Sequence, residues 1–163
     1  MWNAREDGGP RAEDLVADNN HVLAGTALGL ARQWLAALNA RNAGALEKLL
    51  APDFTYTGMA RTPPELGVHW DRDTFIKTVG RSGTSMRKPV VMTIVSELGA
   101  GDRAVLETEG YGERPDGAVY ANIYCLMFWT RDGQVTAVHD YCCTATAFAH
   151  FQHLKSAEAA APE

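Results

Sequence analysis

The sequence predicts an α+β domain with helices on one face of a curved sheet. Between Leu23 and Leu38 apolar residues recur at three- and four-residue spacing, whereas after Pro89 the pattern changes to strict alternation. The order is helix, helix, strand, helix, then a strand meander, which makes an α+β domain. With 163 residues, 46% of them hydrophobic, the chain has the size of one ordinary domain and can bury a core without disulfide or metal staples.

Residues 1–17 are polar and Gly/Pro-punctuated, and read as a loosely held N-terminal arm. The domain is expected over 18–155, followed by a disordered tail at 156–163. Asp18, Asn19 and Asn20 offer N-caps for a helix of about 20 to 39, whose apolar stripe is Leu23, Ala27, Leu30, Ala31, Trp34, Leu35 and Leu38. Asn42 caps a second helix, Ala43 to Leu50, which Pro52 closes. "DFTYTG" reads as a short strand and "MARTPPELGVHW", with two prolines and no period, as a long loop of the kind that rims a site. Asp71 caps a third helix ending at Gly80. "VVMTIVSEL", "RAVLETEGY", "VYANIYCLMFW" and "QVTAVHDYCCT" are four strands separated by "GAGD", "RPDGA" and "RDGQ", and a short helix closes the domain from Thr146 to Lys155.

Composition excludes several function classes. A net charge of −5 with no Lys/Arg run leaves no electrostatic footprint for nucleic acid or an anionic membrane. No apolar run reaches the ~20 residues that span a bilayer, and the N-terminus lacks the apolar centre of a signal peptide, so a cytoplasmic location is expected. Three cysteines, two of them adjacent, cannot form a disulfide framework. No phosphate loop, nucleophile elbow or metal-ligand spacing is present, so the expected chemistry uses no cofactor and no metal.

The segments "ARQWLAALNARNAGALEKLLAPDFTYTG", "WDRDTFIKTV" and "YANIYCLMFWTRDGQVTAVHDY" resemble the nuclear-transport-factor-2-like superfamily over residues 20 to 150, in particular its SnoaL-like and ketosteroid-isomerase-like members. The resemblance implies a cone: a strongly curved antiparallel sheet packed on three helices around a deep cavity, in a homodimer. The superfamily includes isomerases, dehydratases, cyclases, epoxide hydrolases and non-catalytic proteins. Against the ketosteroid isomerases, this chain has Trp34 in place of a hydrogen-bonding tyrosine, Gly58 in place of the base aspartate and Tyr124 in place of a protonated aspartate. The pattern is nearer to the limonene-epoxide-hydrolase-like branch, whose first-strand tyrosine corresponds to Tyr56, last-strand carboxylate to Asp140 and network aspartate to Glu109. That branch's bridging arginine falls at Glu107 and its water-holding asparagine at Gly58.

Strand parity divides the dense cluster His139, Asp140, Tyr141, Cys142 and Cys143. If Asp140 faces the cavity, so do Val138 and Cys142, while His139, Tyr141 and Cys143 face away, which argues against one metal held by all of them. By the same rule Val105, Glu107, Glu109 and Tyr111 share a face, as do Tyr120, Asn122, Tyr124 and Leu126. Taking both sets as concave puts several carboxylates in one cavity, where neighbouring acids can share a proton and act as acid and base. The expected catalytic residues are Glu109 and Asp140 as the acid/base pair, Tyr56 as hydrogen-bond donor and His69 as a proton shuttle. Trp34, Trp70, Glu107, Tyr111, Asn122, Tyr124 and Cys142 are the expected substrate-binding residues. The bland alternative places Glu107 and Glu109 on a solvated or dimer-facing side, paired with Arg103 or Arg114.

These readings lead to a cofactor-independent lyase acting by dehydration or small-fragment loss on an apolar, aromatic, oxygenated small molecule, with superfamily dehydratases and aryl lyases as precedents. Epoxide hydrolysis or isomerisation in the same cavity, and a non-catalytic ligand-binding or interaction module, are the alternatives.

Overall fold

The computed structural model describes residues 25–81 and 86–159. The expected N-terminal arm, the first turn of the expected first helix with its caps Asp18 to Asn20, and residues 160–163 lie outside them. Helix α1 (Ala27–Asn39) is capped by Thr26, whose hydroxyl accepts from Gly29 N. Its apolar stripe buries Ala27, Leu30, Ala31, Trp34 and Leu35, the spacing read from the sequence. Helix α2 (Ala43–Leu49) starts at the expected cap, with Asn42 Oδ1 accepting from Ala45 N at 3.0 Å.

Six strands follow the order β2-β1-β6-β5-β4-β3. They are β1 (Leu50–Gly58), β2 (His69–Asp71), β3 (Lys88–Ala100), β4 (Arg103–Glu113), β5 (Val119–Arg131) and β6 (Gln134–Cys142). The meander β3 to β6 is antiparallel as its alternation predicts, and Asp132-Gly133, both at positive φ, make the last tight turn. The sheet is mixed rather than wholly antiparallel, because β1 pairs with β6 in parallel. Pro52, which has no N–H for the ladder, falls where that register shifts, between Leu50 and Thr55. Helix α3 (Arg72–Arg81) begins after Asp71, whose carboxylate accepts from Thr74 N at 2.9 Å.

Among the described residues there are four α-helices, the three expected before the strand meander and the expected closing one. The last, α4, runs Thr144–Ala159 and passes beyond Lys155, where the sequence reading ends it. The core lies between α1, α3 and one sheet face, around Trp34, Phe54, Phe75, Leu106, Leu126, Phe128 and Val138. Trp34 stacks on Phe75 with ring centroids 5.7 Å apart and meets Phe128 edge-on at 5.3 Å. Asn39 joins α1 to the sheet by a two-way bond with the Met92 backbone, at 2.8 and 2.9 Å. No helix among the described residues is long and apolar enough to cross a membrane.

Candidate active site

Burial along β4 and β5 settles which side chains face inward. On β4 the buried set is Ala104, Leu106, Thr108 and Gly110, and on β5 it is Tyr120, Asn122, Tyr124, Leu126 and Phe128. Register agrees, since Thr108 pairs with Tyr124 and Glu109 with the exposed Ile123. Glu107, Glu109 and Tyr111 therefore lie on the outer face, which corrects the expectation that they line the cavity. Glu109 has only a long 3.5 Å contact from Tyr111 Oη, while Arg103 and Arg114 pair with Asp102 and Asp116 instead. The physical reason is the period of two, by which opposite faces of one strand never share a pocket.

The inner face keeps one buried acid, Asp140 on β6. Tyr56, from β1, donates to Asp140 Oδ2 at 2.5 Å, and the parallel β1–β6 pairing that sets Tyr56 beside Val138 brings the two side chains together. Asp140 Oδ1 is closed off from solvent and has no hydrogen-bond partner among the described residues. Burial raises the Asp140 carboxyl above the usual carboxylate range, and the Tyr56 bond partly opposes the rise. Burial and then the Asp140 charge push the Tyr56 phenol well up, so it remains a protonated donor.

These groups open on a pocket of about 290 Å³, at the lower edge of the ~300–1,000 Å³ range of ligand sites. Besides Asp140 and Gly58 its walls are Tyr56, Trp70, Tyr120, Tyr124 and Cys142 from the strands, Met59, Ala60, Glu65, Leu66 and Val68 from the long loop, and Thr144 and Ala147 from α4. The loop thus rims the site as its length suggested. Gly58 is required where it turns away, because a Cβ there would lie 2.6 Å from Leu66 O. Gly110 has a similar role on β4, where a Cβ would lie 2.8 Å from the Tyr124 ring. Trp70 stacks on Tyr56 at 5.3 Å and 18°. Burial and the Asp140 charge push the Cys142 thiol up to about 11, so it is no nucleophile at neutral pH.

Of the other expected residues, Trp34 belongs to the core and His69 is exposed on β2, its Nδ1 3.0 Å from Thr57 Oγ1 and outside the pocket wall. Asn122 is buried behind the wall, where it holds Tyr120. Tyr120 was legible by parity alone yet was not among the expected site residues. The ring of His150, on α4, packs on Tyr120 at 4.6 Å. His139, Tyr141 and Cys143 take the side opposite Asp140, and among the described residues no three His, Cys, Asp or Glu side chains converge as a metal site.

A SnoaL-like domain model matches residues 31–138, about two thirds of the chain. The chain belongs to the SnoaL-like domain family. Its fold is that of the nuclear-transport-factor-2-like superfamily. No curated protein shows a significant sequence match. Among solved structures, this SnoaL-like domain is 26% identical to a hypothetical protein of ketosteroid isomerase-like fold from Catenulispora acidiphila in complex with trimethylamine. That match has a TM-score of 0.58 and covers 69% of this chain and 83% of the other. An epoxide hydrolase like limonene epoxide hydrolase from M. tuberculosis is 16% identical, with a TM-score of 0.63 over 82% of this chain and 94% of its own. IdmH, the proposed polyketide cyclase of Streptomyces antibioticus, is 19% identical, with a TM-score of 0.61 over 76% of this chain and 96% of its own. At such identities the last two likenesses concern the fold.

Proposed function

We propose that this SnoaL-like protein is a cofactor-independent lyase that dehydrates, or removes a small fragment from, an apolar aromatic molecule bearing oxygen. The observation that carries the reading is Asp140: a buried carboxyl, raised by burial, held by Tyr56 on one oxygen and unpartnered on the other, at the wall of an apolar pocket. Raised in this way, the carboxylate is a stronger base than a free one, which suits it to take and return a proton. Asp140 does both jobs, removing a carbon-bound proton and handing it to the departing hydroxyl, while the other carboxyl at the pocket, Glu65, is exposed on the loop. Trp70 and Tyr56 offer stacked faces to a flat ring.

Turnover in heavy-oxygen water tests the reaction class. The lyase reading expects an unsaturated product without solvent oxygen, and a diol carrying it would establish hydrolysis instead. We further propose that a second copy of this chain covers the outer face of β3 to β6. That face exposes Val91, Val95, Leu98, Val119 and Ile123, and Leu98 and Ile123 also line a shallow depression of about 480 Å³. Sedimentation of wild type and I123K checks this: a dimer that the variant dissociates is expected, and a wild-type monomer would exclude it.

A further inference from the structure

One short segment, His69 to Phe75, brings two aromatic rings onto Tyr56. Trp70 is the cross-strand partner of Tyr56 in the antiparallel β1–β2 pairing, so the two side chains stand on one face, and their rings stack 5.3 Å apart at 18°. The next residue, Asp71, caps α3 by accepting from Thr74 N at 2.9 Å. That start sets Phe75 in the first turn of the helix, where its ring meets Tyr56 at 5.0 Å and 31°. Phe75 is itself held: it is 2% exposed, stacks on Trp34 at 5.7 Å and lies 5.3 Å from Phe54. It forms no part of the pocket wall. The hydroxyl at the far end of the Tyr56 ring donates to Asp140 Oδ2 at 2.5 Å. A tyrosine side chain turns about two torsions, and a modest swing about either carries the hydroxyl out of hydrogen-bond reach. Close-packed neighbouring rings restrict that swing before any ligand arrives.

We propose that Phe75 is a positioning residue of this site, and that with Trp70 it holds the Tyr56 hydroxyl on Asp140. The proposal rests on the reading of Asp140 as the proton carrier of the pocket, whose basicity the Tyr56 bond tunes. Phe75 acts through Tyr56 alone, from the core behind the site. Leucine at position 75 keeps an apolar side chain in the core but offers no flat face, so the Tyr56 ring samples orientations in which its hydroxyl leaves the carboxylate. That hydrogen bond favours the ionised form, and weakening it raises the Asp140 carboxyl in the same direction as Y56F does. In Y56F there is no hydroxyl to misplace, and F75L has nothing further to change there.

The test is carboxyl-carbon NMR titration of Asp140 in wild type, F75L, Y56F and the double variant Y56F/F75L. F75L should raise the midpoint, by no more than the roughly tenfold change in proton affinity expected of Y56F, and the double variant should match Y56F. L35A removes a buried side chain from α1 that makes none of these ring contacts, so it should lower the melting temperature without moving the midpoint. Should F75L fail to fold, W70L carries the same comparison at a half-buried position, and its effect should be more positive in wild type than in Y56F. W70F keeps a ring and should stay at the wild-type value. An unmoved midpoint in F75L, an equal rise from F75L or W70L in the Y56F background, or an equal rise in L35A would overturn the proposal. None of these readings uses a substrate. A protein that passes them yet forms no unsaturated product fails the lyase reading alone, and one that dehydrates while F75L leaves the midpoint in place fails the positioning role alone.

Discussion

Replacing Tyr56 by phenylalanine removes the one hydrogen bond to the Asp140 carboxyl among the described residues while keeping an aromatic ring beside it. A hydrogen bond to a charged group is worth ~1.5–3 kcal/mol, against ~0.5–1.5 kcal/mol between neutral partners. The Tyr56 hydroxyl therefore favours the ionised carboxylate over its acid by on the order of 1–2 kcal/mol, or about one pKa unit. Y56F should raise the Asp140 pKa, already lifted by burial, by about one further unit. Carboxyl-carbon NMR titration of wild type and Y56F reads this without a substrate. A value that stays put or falls would mean that the bond is absent in solution or favours the acid, and the account of the site would be wrong.

Three further outcomes follow from the same geometry. Because the folded Asp140 pKa lies above its unfolded value of ~3.9, the native state binds the proton more tightly. The Asp140 contribution to stability is then present at low pH and lost as pH rises through the folded value. D140N should therefore gain on wild type in urea unfolding as pH rises from acid to neutral; a gap that is constant with pH would contradict the raised pKa. G58A should destabilise by roughly 1–3 kcal/mol because its Cβ meets the Leu66 carbonyl, whereas G44A on α2, whose Cβ would make only an ordinary 3.7 Å contact with Asn42 Oδ1, should be neutral or stabilising. Thermal melts compare the two, and equal effects would refute the close approach at Gly58. W34A should cost about 3–5 kcal/mol of stability, whereas W34F, which keeps an aromatic ring in the core, should leave ligand affinity unchanged, as checked by calorimetry.

Local signals were legible where one residue type has one physical use. Asn42 and Asp71 cap the helices that their positions announce, and Asp132-Gly133 turns the last hairpin. Asp140 and Tyr56, which the structure joins by a hydrogen bond, were singled out from strand parity together with family resemblance. Parity states which residues share a face but not which face is inward. On β4 the inward set includes Thr108, Gly110 and Gly112, residues that look less like a core than Val105 and Tyr111 do. Glycine is there because the Tyr124 ring occupies the space of a side chain at Gly110, a contact between strands that one strand's pattern cannot report. The three-residue strand His69–Asp71 and the parallel β1–β6 pairing were hidden for the same reason, since both are set by distant partners.

Hydrogen exchange at carbon tests the central claim most directly. Wild type incubated with an aryl ketone in deuterium oxide should wash deuterium into the position beside the carbonyl, as NMR would show. D140N should lose this by ~10²–10⁴-fold, whereas E109Q, altered only on the outer face, should match wild type. Undiminished exchange in D140N, or its loss in E109Q, would contradict Asp140 as the proton carrier of this pocket.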